Sequence, residues 1–303
     1  MSDLYKSCRL CPFECGADRS NGQLGRCRST NEMQIARIAP HYWEEPCLSG
    51  QGLEEPIKGS GTVFFVGCSL GCVFCQNRKI SDKDTKLGII YTEETLADEF
   101  LRLESCRVHN INLVTASHFA PSVARSIEIA RKHGLSIPTV YNCSGYEKVQ
   151  TLKMLDGLID VYMPDFKFYS SLLSTQYSNC SNYCGITLSA IKEMHRQTGT
   201  PVFDSVGFMK KGVLVRHLVL PGSDSDSRKI TSLLHDTFGS DGIALSLMSQ
   251  YTPRNDIPFV ELTEKLSPAA YLRAVEHAQR LGFSYLYTQS GESASESFIP
   301  EFS

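Results

Sequence analysis

From about residue 62 onward, short apolar, β-rich runs alternate with stretches of helical period. Thr62-Val63-Phe64-Phe65-Val66 is a continuous apolar run ending in Gly67-Cys68, the pattern of a buried strand feeding a loop. Ile111 to Thr115 and Pro138 to Tyr141 repeat the pattern, followed by Ile159 to Met163, Val213 to Leu220 and Ile243 to Leu247. Between them Thr92 to Leu103 reads as a helix, with Thr92 as N-cap and Glu93 and Glu94 at its positive end. Pro121 to Lys132, closed by Gly134, and Ala270 to Leu281, closed by Gly282, read as helices too; Tyr285-Leu286-Tyr287 follows the second. Six strands separated by helices predict a parallel sheet with right-handed crossovers. The alternation fits an open doubly wound sheet or a partial or complete barrel equally. In either, the chemistry belongs where strands end and loops begin. The first 60 residues differ, being rich in cysteine, glycine and charge with little periodicity. The pattern divides the chain into a cap at 1–60, a core at 61–290 and a surface tail at 291–303.

Composition narrows the function classes. With 42% hydrophobic and 21% charged residues, broad disorder is excluded. Lys plus Arg total 30 against 33 Asp plus Glu, a net charge of −3, which argues against coating nucleic-acid phosphates or anionic membrane. No apolar run approaches the roughly 18–20 residues of a membrane span. Met1 to Lys6 has no apolar core of a signal peptide, so a cytoplasmic location is expected. Twelve cysteines then need an explanation other than disulfides. Cys8, Cys11, Cys15, Cys27, Cys47, Cys68, Cys72 and Cys75 fall in the first quarter, with gaps typical of metal ligation.

The sharpest feature is Cys68-Ser-Leu-Gly-Cys72-Val-Phe-Cys75, a CxxxCxxC loop directly after the first core strand. Three thiolates leave a tetrahedral ion or a cubane one ligand short. Structural zinc normally closes its fourth position with protein, so a zinc knuckle would need a fourth ligand from elsewhere. A [4Fe–4S] cluster held by three cysteines keeps one iron free for a substrate or cofactor.

This loop, with Phe74 before its last cysteine, resembles the signature of the radical S-adenosylmethionine (SAM) superfamily. Glu44-Glu45-Pro46, Gly59-Ser60-Gly61-Thr62, Cys75-Gln76-Asn77, Phe298-Ile299-Pro300 and the Cys-Arg-Leu-Cys-Pro segment are similar to the pyruvate formate-lyase activating enzyme-like iron–sulfur proteins. The resemblance implies an α/β fold, a partial TIM-like (β/α)6 barrel, here with a small Cys-rich N-terminal metal-binding cap. It implies a [4Fe–4S] cluster on Cys68, Cys72 and Cys75 whose open iron chelates SAM. One electron then cleaves SAM to methionine and a 5′-deoxyadenosyl radical that abstracts a substrate hydrogen. A reductant such as flavodoxin or ferredoxin is implied, and a protein substrate carrying a glycine Cα is one candidate acceptor.

Further positions follow from the same resemblance. Activating enzymes carry Gly-Gly-Glu after the second strand, facing the SAM amino group. This chain has Ala116-Ser117-His118, so the carboxylate is missing and Thr115, Ser117 or His118 would substitute. Asn142 and Ser144 at the end of the third strand, and Asp165 and Lys167 after the fourth, occupy SAM-side positions. Arg216 on the fifth matches the residue that reaches the SAM carboxylate, a task suited to bidentate bonding. Phe74, Ser117, His118, Asn142, Asp165, Lys167 and Arg216 are therefore the candidate cofactor-binding side chains.

A second set, Cys8-x2-Cys11-x3-Cys15-x11-Cys27, offers four thiolates and suits either a closed zinc site or an auxiliary iron–sulfur cluster. Cys180 and Cys184 read as a loop pair, Cys106 and Cys143 as small packed hydrophobes, and Cys47 as a ligand fitting neither set. Two function classes follow: a SAM-dependent radical enzyme, or a non-enzymatic iron–sulfur or zinc protein that carries electrons or scaffolds a partner.

Overall fold

The computed structural model describes residues 3–50, 59–81, 87–289 and 302. One ten-stranded sheet runs in the order β10-β9-β8-β6-β5-β4-β2-β1-β3, with β7 paired to β8. The strands are β1 (Met33–His41), β2 (Ser60–Phe65), β3 (Ile89–Tyr91), β4 (Ile111–Val114), β5 (Thr139–Cys143), β6 (Val161–Pro164), β7 (Val202–Phe203), β8 (Met209–Leu218), β9 (Ala244–Met248) and β10 (Leu286–Thr288). From β2 to β10 every neighbouring pair along this order is parallel, and β1 and β3 extend the β2 edge antiparallel. The six expected strands are all present, and the run at Tyr285-Leu286-Tyr287 adds β10 as a further parallel strand.

Among the described residues, six helices have eight or more residues: α1 (Glu93–Ser105), α2 (Ala120–Lys132), α3 (Ser171–Ser178), α4 (Tyr183–Thr198), α5 (Asp224–Phe238) and α6 (Pro268–Leu281). Their origin is local. Thr92 and Thr95 close a reciprocal cap on α1, and its buried Leu96, Phe100 and Leu103 recur at helical spacing toward the sheet. Ser267 caps α6, Pro268 opens it and left-handed Gly282 ends it. The helix α4 was not visible in the periodicity. Its first turn contains Cys184, while Cys180 is buried just before it, so the pair is not a simple loop. Cys106 caps α1 and is exposed, where packing was expected.

Every residue of β2, β4, β5, β6 and β9 is buried, which is why they read as unbroken apolar runs. The larger core lies between one face of the sheet and the helices. Val140, Val161, Met163, Leu214 and Ala244 form a second cluster on the other face of the sheet, closed by Cys47 and Leu48. Those two residues belong to a short turn of helix at Pro46–Ser49, just after β1. The segment thus enters the barrel interior, and Asn110 Nδ2 ties it down by donating to Leu48 O at 2.9 Å. Register aligns the C-terminal strand ends on one edge: Phe64 opposite Val114, Val114 opposite Asn142, and Asn142 opposite Met163. The tail expected at 291–303, with Phe298-Ile299-Pro300, lies outside the described residues except for Phe302.

No described helix is long and apolar enough to cross a membrane.

Candidate active site

A cavity of about 210 Å³ opens at that edge. It is lined by Cys68, Cys72, Phe74 and Cys75 from the loop after β2, and by Thr115, Asn142, Asp165, Lys167 and Arg216 from successive strand ends. Parallel strands place their chemistry at this edge because only there do consecutive loops converge.

The loop is held from two sides. Gly67, at φ +90°, fits against the cap so closely that a Cβ would lie 2.4 Å from Ser29 Oγ and 2.5 Å from Cys27 O. Ser178 Oγ donates to Cys72 Sγ at 3.1 Å and Ser81 Oγ to Cys75 Sγ at 3.4 Å. Phe74 is buried edge-on to Phe168 and Tyr177. Burial pushes the Cys72 thiol up to about 12, while the nearby Lys167 ammonium opposes this. Hydroxyl donors on two sulfurs and a neighbouring cation suit the thiolate form, so the donor set fits a cluster bound through three cysteines. Among the described residues, no three His, Cys, Asp or Glu side chains are already gathered around a single ion's position.

Opposite the loop lies a buried charge network. Arg216 Nε donates to Asp165 Oδ1 at 3.1 Å, Nη1 to Glu44 Oε2 at 3.4 Å and Nη2 to Asn142 Oδ1 at 2.8 Å. Lys167 Nζ donates to Asp165 Oδ2. Burial alone would raise the Asp165 carboxyl, but Lys167 and Arg216 outweigh it and hold it below its ordinary value. Burial likewise opposes the Arg216 charge, and Asp165 and Glu44 more than restore it. A guanidinium has five N–H groups, so two remain for a further acceptor.

Ser117 and His118 do not line this cavity. Thr115 sits at φ +63°, an outlier for a β-branched residue, and the chain turns away after it. Ser117 Oγ donates to Glu147 Oε1 at 2.6 Å. The His118 ring is buried, with Nε2 2.8 Å from Val66 O; burial and Arg19 lower it to about 3, so it stays neutral. Glu147 is itself buried, and desolvation raises its carboxyl to about 7. Sequence reasoning did not nominate Glu44 or Glu45 as site residues. Glu44 lines the cavity and Glu45, fully enclosed, accepts from Ser246 Oγ at 2.9 Å. Two adjacent acids directly ahead of Pro46-Cys47-Leu48 were the available signal.

No family model matches the chain. An uncharacterized protein of Methanocaldococcus jannaschii is 26% identical over 292 residues, covering 94% of this chain and 78% of that protein. A domain of pyruvate-formate lyase-activating enzyme from Bacteroides vulgatus superposes with a TM-score of 0.41 at 10% identity, over 56% of this chain and 91% of that one. Streptococcus suis SuiB superposes with a TM-score of 0.50 at 16% identity, over 78% of this chain and 52% of SuiB, so the match spans about half of SuiB's length. The chain shares with SuiB its α/β fold, a predominantly parallel sheet flanked by helices as in a partial TIM-like barrel.

Proposed function

We propose that the chain is a radical SAM enzyme, with a [4Fe–4S] cluster on Cys68, Cys72 and Cys75 and SAM in the adjoining cavity. The observation that carries this reading is that all three cysteines share one cavity with Asn142, Asp165, Lys167 and Arg216. When bound, the cluster supplies the single electron that SAM cleavage requires.

The chain's own residues do the rest by binding and orienting. The two unused N–H groups of Arg216 and the Asn142 amide suit the carboxylate of an amino acid. Asp165 and Glu44 supply acceptors for its ammonium, which answers the absence of a carboxylate in Ala116-Ser117-His118. Phe74, packed against Phe168 and Tyr177, fixes the loop that carries the sulfurs. This reading also takes a reducing, cytoplasmic setting and a reductant such as flavodoxin or ferredoxin. The substrate hydrogen in this reading belongs to an unactivated C–H, with a backbone glycine of a partner protein as the first candidate.

The test is product formation. Anaerobically reconstituted protein, reduced in the presence of SAM, should release 5′-deoxyadenosine, and the Cys68→Ala/Cys72→Ala/Cys75→Ala triple variant should not. Equal background from both would leave an electron carrier or scaffold as the better account.

A further inference from the structure

Arg19 is fully buried, and among the described residues its guanidinium meets no carboxylate. Nε donates to Ser29 O at 3.0 Å, Nη1 to His118 O at 2.7 Å and Nη2 to Thr30 O at 2.6 Å. The only side-chain acceptor among its described partners is the Cys8 sulfur, 3.6 Å from Nη1. The rings of Tyr5 and Phe119 flank the group, 4.9 and 5.4 Å from its central carbon. Asp18, next in sequence, spends its carboxylate on Ser20 and Asn21. A buried cation without a negative partner is costly, and carbonyl dipoles and aromatic faces offset only part of that cost.

The missing charge has an evident source. Cys8 and Cys27 are buried close to Arg19, Cys11 is buried in the same segment, and Cys15 is exposed with its sulfur near that of Cys27. A Cβ added at Gly25 would lie 3.2 Å from Cys27 Sγ, 3.3 Å from Arg19 Cδ and 3.6 Å from Cys15 Sγ, so Gly25 leaves room where these groups meet. Backbone bonds from Cys8 N to Ala17 O, Gly16 N to Cys8 O and Glu14 N to Cys11 O fold the first three cysteines into one compact knuckle.

We propose that Cys8, Cys11, Cys15 and Cys27 form a closed four-thiolate zinc site whose negative charge is partly offset by Arg19. Four thiolates on one Zn²⁺ carry a net charge of −2, and no coordination position stays open. The sulfurs must draw together on metal entry, since no three described ligands are yet at single-ion spacing. The same guanidinium reaches His118 O, and the His118 ring reaches Val66 O just ahead of the Cys68 loop. The zinc site therefore serves as a clamp that fastens the cap to the loops after β2 and β4. It is separate from the three-cysteine site and does not depend on the radical SAM reading.

The test uses the full-length Cys68→Ser/Cys72→Ser/Cys75→Ser variant, which removes the loop sulfurs. As purified, it should hold one zinc per chain. After metal removal and titration with Co²⁺ alone, it should take up one equivalent with the intense visible bands and sulfur charge transfer of a tetrahedral thiolate site. Adding Cys27→Ser should abolish the stoichiometric uptake. Arg19→Met should keep the bands but release Co²⁺ to a chelator at least tenfold faster. Should Cys27→Ser disturb folding, the exposed Cys15→Ser change should still shift and weaken the spectrum. Absence of stoichiometric Co²⁺ uptake, or uptake unchanged by both cysteine replacements, would overturn the site. Iron and sulfide at about four each per chain on these cysteines would overturn the zinc assignment.

Discussion

Asp165 and Arg216 face each other across a parallel bridge between neighbouring strand ends, with Nε of the guanidinium 3.1 Å from Oδ1 of the carboxylate. Both side chains are 16% exposed. Removing one partner of such a pair leaves an uncompensated charge. Asp165→Asn should therefore cost about 3 kcal/mol and lower the thermal midpoint by several degrees. In the double variant Asp165→Asn/Arg216→Met part of that loss should return, because one of the two cations that face Asp165 is gone. Additive losses in the double variant would show that the two residues are not coupled.

Glu147 predicts a pH dependence of stability. Desolvation raises its carboxyl from 4.5 to about 7 in the folded chain. Between these values the unfolded chain gives up its proton and the folded chain keeps it. This contribution to stability is thus present in full below about 4.5 and lost as pH rises to about 7. The change corresponds to about 3 kcal/mol. Glu147→Gln keeps an acceptor for Ser117 and carries no proton to lose. Its thermal midpoint relative to wild type should rise from pH 5 to pH 8. Parallel profiles would contradict the burial argument.

Gly67 joins the cap to the barrel. At φ +90°, with Ser29 Oγ and Cys27 O in the space a Cβ would fill, Gly67→Ala should destabilise by more than about 1 kcal/mol. Limited proteolysis should then cut the first 30 residues faster than in wild type while the barrel persists. An unchanged cleavage pattern would mean that the cap is held elsewhere.

How much of this was legible depends on sequence distance. The Cys68 loop is contiguous, and the strands it follows are buried on both faces, so both showed as local patterns. Asn142, Asp165 and Arg216 could be placed because strand ends in a parallel sheet share an edge. Glu44 reaches Arg216 across 172 positions, and nothing local marks that meeting. Arg19 contacts His118 across 99 positions for the same reason. Strand β1 pairs antiparallel with the β2 edge, a long-range choice that the weak periodicity of the first 60 residues does not announce. Ser117 and His118 were nominated by position alone. The left-handed turn at Thr115, which no propensity favours for a β-branched residue, directs them to Glu147 and Val66 instead.

In the proposed enzyme Cys68, Cys72 and Cys75 hold a cluster with an iron open to SAM. The most direct test of this is the electron paramagnetic resonance spectrum of the reduced, reconstituted protein with and without SAM. A [4Fe–4S]⁺ signal that shifts when SAM is added and is absent from the loop triple variant is the expected result. A signal from these three cysteines that ignores SAM would contradict it.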